Sequence, residues 1–90
     1  MNLIKHYIGG KEVEGGSRKG NVFNPATGEI ISEVSLGDGS LVQQAVDSSS
    51  QALEKWKYTT PAKRASIMFR YKNLLDNNSA KIAELVSKEH

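Results

Sequence analysis

Few residues of this 90-residue chain are of types that do chemistry, and their spacing limits what they can do. His6 and His90 are the two histidines, and neither has a Cys, Asp or Glu at metal-ligand spacing in a matching context, so neither is assigned a catalytic or ligand role. Cysteine is absent, which removes a disulfide framework, a thiolate metal site and a cysteine nucleophile from these residues. Gly37-Asp38-Gly39 precedes a helical pattern, the right setting for a phosphate. The third glycine of the dinucleotide fingerprint is missing, however, and no βαβ pattern surrounds it, so a capped turn explains it better. Glu12 with Glu14, and Glu29 with Glu33, lie on strand or turn patterns and read as solvated carboxylates rather than an acid/base pair. Trp56, Tyr58, Phe69 and Tyr71 are spaced for core or helix-junction packing more than for a base- or sugar-stacking platform. The chain itself is therefore expected to hold no catalytic, cofactor-binding or metal-binding residue.

The elements that carry these residues follow from periodicity and punctuation. Leu3 to Ile8, then Gly9-Gly10, then Lys11 to Val13 predict a first hairpin, because paired glycines suit a turn that needs positive φ. Glu14 to Gly20 is a polar, glycine-rich connector, expected to be the most mobile segment. Residues 21 to about 35 predict a second hairpin, with Pro25 presetting φ and Gly28 closing the turn. In its returning arm, Ile31, Glu33 and Ser35 alternate against Ile30, Ser32 and Val34, which predicts one packed and one wet face.

Beyond residue 36 the period changes from two to three or four. Leu41, Val42, Ala45, Val46, Ser49, Ala52, Leu53 and Trp56 predict an amphipathic helix capped by Asp38. Thr60 and Pro61 start a second helix whose wide apolar sector, with Ile67, Met68, Phe69, Tyr71, Leu74 and Leu75, calls for two neighbours. A third helix begins near Ser79 and turns Ile82, Ala83, Leu85 and Val86 inward; with no Gly or Asn stop after it, it reads as cut short. The fold class is thus an α+β fragment, with β-hairpins over residues 1–35 and three amphipathic helices over residues 36–90.

Composition narrows the class. The chain is 38% hydrophobic and 24% charged, which is ordinary globular material, and is too short for a nucleotide-binding domain plus a catalytic one. A net charge of +2 with no nucleic-acid reader motif argues against nucleic acid. The polar start and the lack of a long apolar run argue against a signal peptide or a membrane span. A cytoplasmic protein is the expectation.

Phe23-Asn24-Pro25-Ala26-Thr27-Gly28-Glu29 resembles the opening hairpin of the NAD(P)-dependent aldehyde dehydrogenases. Tyr7-Ile8-Gly9-Gly10, Leu36-Gly37-Asp38, Ala52 to Trp56 and Pro61-Ala62-Lys63-Arg64-Ala65 extend the resemblance along nearly the whole chain. Val42 to Asp47, Met68 to Lys72 and the terminal Glu89-His90 are similar to the CoA-acylating methylmalonate-semialdehyde dehydrogenases. The resemblance implies a parent enzyme, a homo-oligomer, that oxidises a small aldehyde substrate with NAD and passes the acyl group to coenzyme A. It also implies that the nucleophilic cysteine, the oxyanion-hole asparagine and the dinucleotide- and CoA-binding parts lie outside these residues. The competing expectation is a self-standing oligomerisation or interaction module derived from a dehydrogenase N-terminus.

Overall fold

The computed structural model describes residues 2–90, and its elements run β1 (Asn2–Ile4), β2 (His6–Ile8), β3 (Lys11–Val13), β4 (Lys19–Phe23), β5 (Ile30–Ser35), α1 (Gly39–Trp56), α2 (Pro61–Asn77) and α3 (Ser79–Glu89). Two sheets result: β1-β5-β4 and the two-stranded β2-β3.

The first hairpin is shorter than the sequence suggests. Leu3 to Ile8 does not form one strand, because the pairing breaks at Lys5. β1 leaves the hairpin and joins β5 in parallel, Leu3 opposite Glu33 and Ile4 opposite Val34. Only β2 and β3 form the hairpin, with His6 opposite Val13 and Ile8 opposite Lys11. Gly9 and Gly10 turn it at φ 62° and 78°, values that a side chain disfavours. A local turn signal names the turn but not the distant strand that takes the rest of a run.

The second hairpin forms as expected. β4 pairs with β5 antiparallel, with an irregularity between Val22 and Phe23 that shifts the register near the turn. The Asn24 carbonyl accepts from the Gly28 amide at 2.7 Å, the Asn24 amide donates to the Glu29 carbonyl at 2.8 Å, and Gly28 sits at φ 77°. The Asn24 side-chain Oδ1 also accepts from the Ala26 amide at 2.9 Å, which fixes the entry into Pro25. The expected alternation of β5 is lost, since Ile31 to Val34 are all half-buried. β5 is the middle strand, so its neighbours shield both faces.

The connector between the hairpins is anchored rather than loose. Gly15 is buried, its amide donates to the Ser35 Oγ at 2.9 Å, and the same hydroxyl donates to the Gly15 carbonyl at 2.9 Å. Arg18 reaches over to the Gly37 carbonyl at 2.9 Å. A Cβ at position 15 would stand 2.5 Å from Leu41 Cδ2, so a larger residue there would have to push the Leu41 side chain aside.

The helix starts are where the capping residues place them. Asp38 Oδ1 accepts from the Leu41 amide at 2.9 Å, and Thr60 Oγ1 accepts from the Lys63 amide at 3.2 Å with Pro61 at the first helical position. Leu41 is the one buried large apolar residue of α1, while α2 and α3 bury none among the described residues. The molecule spreads over 48 × 35 × 15 Å with a radius of gyration of 16.9 Å. A compact 90-residue domain has about 12 Å. The molecule is thus flattened, with α1 against β2 and α3 facing the β1–β5 side across an open cleft, and most apolar residues of the helices stay exposed.

Candidate functional site

Of the residues singled out for chemistry, none is brought into a reactive constellation with another. Among the described residues no three His, Asp or Glu side chains come together as a metal cage. His6, on β2, tucks its ring against Gly15 and Gly37, and its Nε2 is enclosed without a hydrogen-bond partner. Glu14 faces Lys19 at 4.0 Å on the surface. The glycine-flanked turn at Asp38 closes its own helix: the Asp38 carboxylate occupies the α1 N-terminus through the Leu41 amide, placing negative charge where a phosphate would need donors. The turn is a cap, as its sequence suggested.

The aromatic residues separate. Trp56 ends α1 at the α1–α2 corner, where the Arg64 guanidinium stacks 4.9 Å from its ring centroid. Arg64 also donates through Nη2 to the Trp56 carbonyl at 2.7 Å and through Nε to the Thr59 carbonyl at 3.0 Å. Tyr58, with Lys57 5.3 Å from its ring, is 79% exposed, and Phe69 and Tyr71 face solvent on α2. The junction role holds for Trp56 alone. The sequence carried no signal for the Arg64 clamp, because the pairing depends on how sharply the chain turns at residues 57–60.

What the structure does assemble is surface. Val42, Val46 and Leu53 on α1, Met68, Phe69, Leu74 and Leu75 on α2, and Ile82, Leu85 and Val86 on α3 are all exposed. At 3.6 residues per turn, Ile67, Met68, Phe69, Tyr71, Leu74 and Leu75 cover about 220° of the α2 circumference. Among the described residues none buries a side chain of α2, so the two neighbours expected for that helix do not cover it here. The accessible surface is 7330 Å², against roughly 5,200 Å² for a compact monomer of 9.9 kDa. That excess is of the size of one side of an obligate interface. No helix among the described residues is long and apolar enough to cross a membrane.

Residues 13–90 match the model of the aldehyde dehydrogenase family. The chain belongs to that family. It is 44% identical over 90 residues to the malonate-semialdehyde dehydrogenase of Pseudomonas aeruginosa, covering all of this chain and 18% of that protein. The crystal structure of methylmalonate-semialdehyde dehydrogenase from Oceanimonas doudoroffii superposes with a TM-score of 0.97 at 42% identity, over 100% of this chain and 18% of that one. A Sinorhizobium meliloti structure, described as a methylmalonate-semialdehyde dehydrogenase complexed with NAD, gives 0.95 at 40% identity, over 98% of this chain and 18% of that one. The chain thus spans about a fifth of the length of the dehydrogenases it matches. Within this aldehyde dehydrogenase segment, the spread-out helices take the arrangement that their relatives adopt inside a far larger body.

Proposed function

We propose that this chain is the N-terminal portion of an NAD-dependent, CoA-acylating dehydrogenase of malonate or methylmalonate semialdehyde, and that residues 1–90 begin its coenzyme-binding domain. The observation that carries the reading is the pairing of a near-superimposable relative with exposed apolar helix faces: the flattened chain leaves most apolar residues of α2 and α3 uncovered, and they call for a body against them. In this reading the whole enzyme converts the semialdehyde to acetyl-CoA or propionyl-CoA with loss of carbon dioxide. NAD accepts the hydride, coenzyme A takes the acyl group, and the enzyme works as a cytoplasmic homo-oligomer. These ninety residues supply scaffold, with no catalytic, cofactor-binding or metal-binding residue of their own.

Two measurements test this. The gene is followed downstream of the His90 codon: the reading expects an open frame that brings the product to roughly 500 residues, since 90 residues make 18% of the Pseudomonas aeruginosa relative, and a cysteine within it. A stop codon directly after His90 would overturn it in favour of the interaction module. The purified 90-residue chain is also titrated with NAD in a calorimeter and assayed with semialdehyde, NAD and coenzyme A. Neither binding nor turnover is expected, and either one would place chemistry in residues where the reading puts none.

A further inference from the structure

The α1–α2 corner is four residues long and is closed by local bonds: Lys57 to the Leu53 carbonyl at 2.9 Å, Tyr58 to that of Lys55 at 3.2 Å, Thr59 to that of Trp56 at 3.0 Å. Those bonds finish α1 but do not aim α2. The Thr60 cap, likewise, orders only the first turn of α2. Arg64 alone reaches back across the corner from one turn inside α2. It is half-buried, donates to the carbonyls of Trp56 and Thr59 and lies over the Trp56 ring with its guanidinium carbon 4.9 Å from the centroid.

We propose that Arg64 is a corner clamp that sets the angle between α1 and the α2–α3 arm, and thereby aims the apolar faces of the arm at the body they dock on; the docking clause rests on the dehydrogenase reading, the clamp itself does not. The physical case is geometric. A guanidinium holds its N–H groups in a rigid plane, so bonds from Nε and Nη2 to two separate carbonyls, with the ring as a third contact, fix an orientation rather than a distance. Trp56 is the last residue of α1, where helix carbonyls lack intrahelical donors and carry the negative end of the dipole, and Thr59 lies in the corner just beyond it. No side chain of α2 or α3 is buried, and α3 faces the strand layer across an open cleft lined by Ile4, Ile31, Leu85 and Lys88, so Arg64 sets the angle from the corner end. A lysine at 64 would keep the charge and lose the fork and the planar stack.

The chain has no cysteine, so a pair of spin labels can be placed without removing native residues. Gln51→Cys on α1 and Lys81→Cys on α3 are both exposed positions. The distance between the labels is measured by pulsed electron resonance in chain diluted with unlabelled copies, with Arg64, Arg64→Lys and Arg64→Ala in turn, alongside circular dichroism. A single narrow distance is expected with Arg64, a distribution shifted by several ångström or visibly broadened with Arg64→Ala, and incomplete recovery with Arg64→Lys, all at unchanged helix content. Thr60→Ala weakens the start of α2 without touching the clamp and is expected to leave the distance in place. An unchanged distribution in Arg64→Ala overturns the clamp and leaves the dehydrogenase reading standing. Loss of helix content in Arg64→Ala without a like loss in Thr60→Ala also overturns it, by making Arg64 a helix stabiliser.

Discussion

In the strand-rich front of the molecule the bonds join residues far apart in the chain: Gly15 to Ser35, Arg18 to Gly37, β1 to β5. In the α2–α3 arm they join neighbours: Lys72 to Asp76, Asn78 to Leu74, Lys88 to Glu84. Arg64, eight residues from Trp56, makes the longest reach from the arm, and it ends at the corner. Both regions have fully formed secondary structure, so the difference lies in packing. The front carries its small core with it, while the arm has regular helices that bury no side chain among the described residues. A helix that gains its stability from an apolar face is ordered only as far as that face is covered.

The largest effect should come from cutting the packing on each side of that divide. Leu41 is 9% exposed and touches the places of Gly15 and Gly37, so Leu41→Ala should lower stability in urea melts by about 2–3 kcal/mol. Phe69 is the larger side chain but is 67% exposed, and Phe69→Ala should change the same melt by less than about 0.5 kcal/mol. Equal losses would mean that the arm folds back and the two regions are not distinct.

Ser35 comes next. Its hydroxyl satisfies both the amide and the carbonyl of buried Gly15, and Ser35→Ala removes both bonds while leaving the glycine where it is. A cost of about 1–3 kcal/mol is expected, with hydrogen exchange rising at Gly15. The faster exchange of the arm should be unaltered, and any speeding there would show that front and arm share one cooperative unit.

These two regions were also unequally legible in the sequence. Asp38, Thr60, Pro61 and the Asn24-to-Glu29 turn act within a few residues of themselves, and each was placed from spacing alone. The departure of β1 to β5, the Ser35 anchor of Gly15 and the Arg64 corner depend on partners 5 to 30 residues away, and no periodicity encodes such a choice. The wide apolar sector of α2 was readable, and with it the need for neighbours. That no neighbour covers it here became visible only when the helix was seen in place with both sides bare. The candidate site shows the same pattern, since capping chemistry at Asp38 was separable from phosphate binding by sequence, whereas the enclosed Nε2 of His6 was not.

Helix caps test the comparison at smaller scale. Asp38→Ala removes the acceptor for the Leu41 amide on a helix whose first turn packs on the front, and should cost about 1 kcal/mol of the cooperative melt. Thr60→Ala removes an equivalent acceptor from α2. Because the arm is not coupled to that melt, the loss should instead appear as fraying of the first turn of α2, seen as faster exchange at Ala62 and Lys63 with the midpoint unmoved.

The smallest effect lies within the arm and concerns direction. Glu84 precedes Lys88 by four residues at 3.5 Å, the order that agrees with the helix dipole, whereas Lys72 precedes Asp76 at 3.1 Å in the reverse order. All four side chains are about two-thirds exposed, so each pair contributes no more than about 0.5 kcal/mol, and the longer pair should be the stronger of the two. Glu84→Gln should therefore reduce helix content more than Asp76→Asn in low salt, and the difference should vanish near 1 M salt, where charges are screened within about 3 Å. If the shorter contact proves the stronger, distance outweighs the dipole on these helices. Either ranking leaves too little energy in the ion pairs to order the arm, which returns its stability to the apolar faces and to whatever covers them.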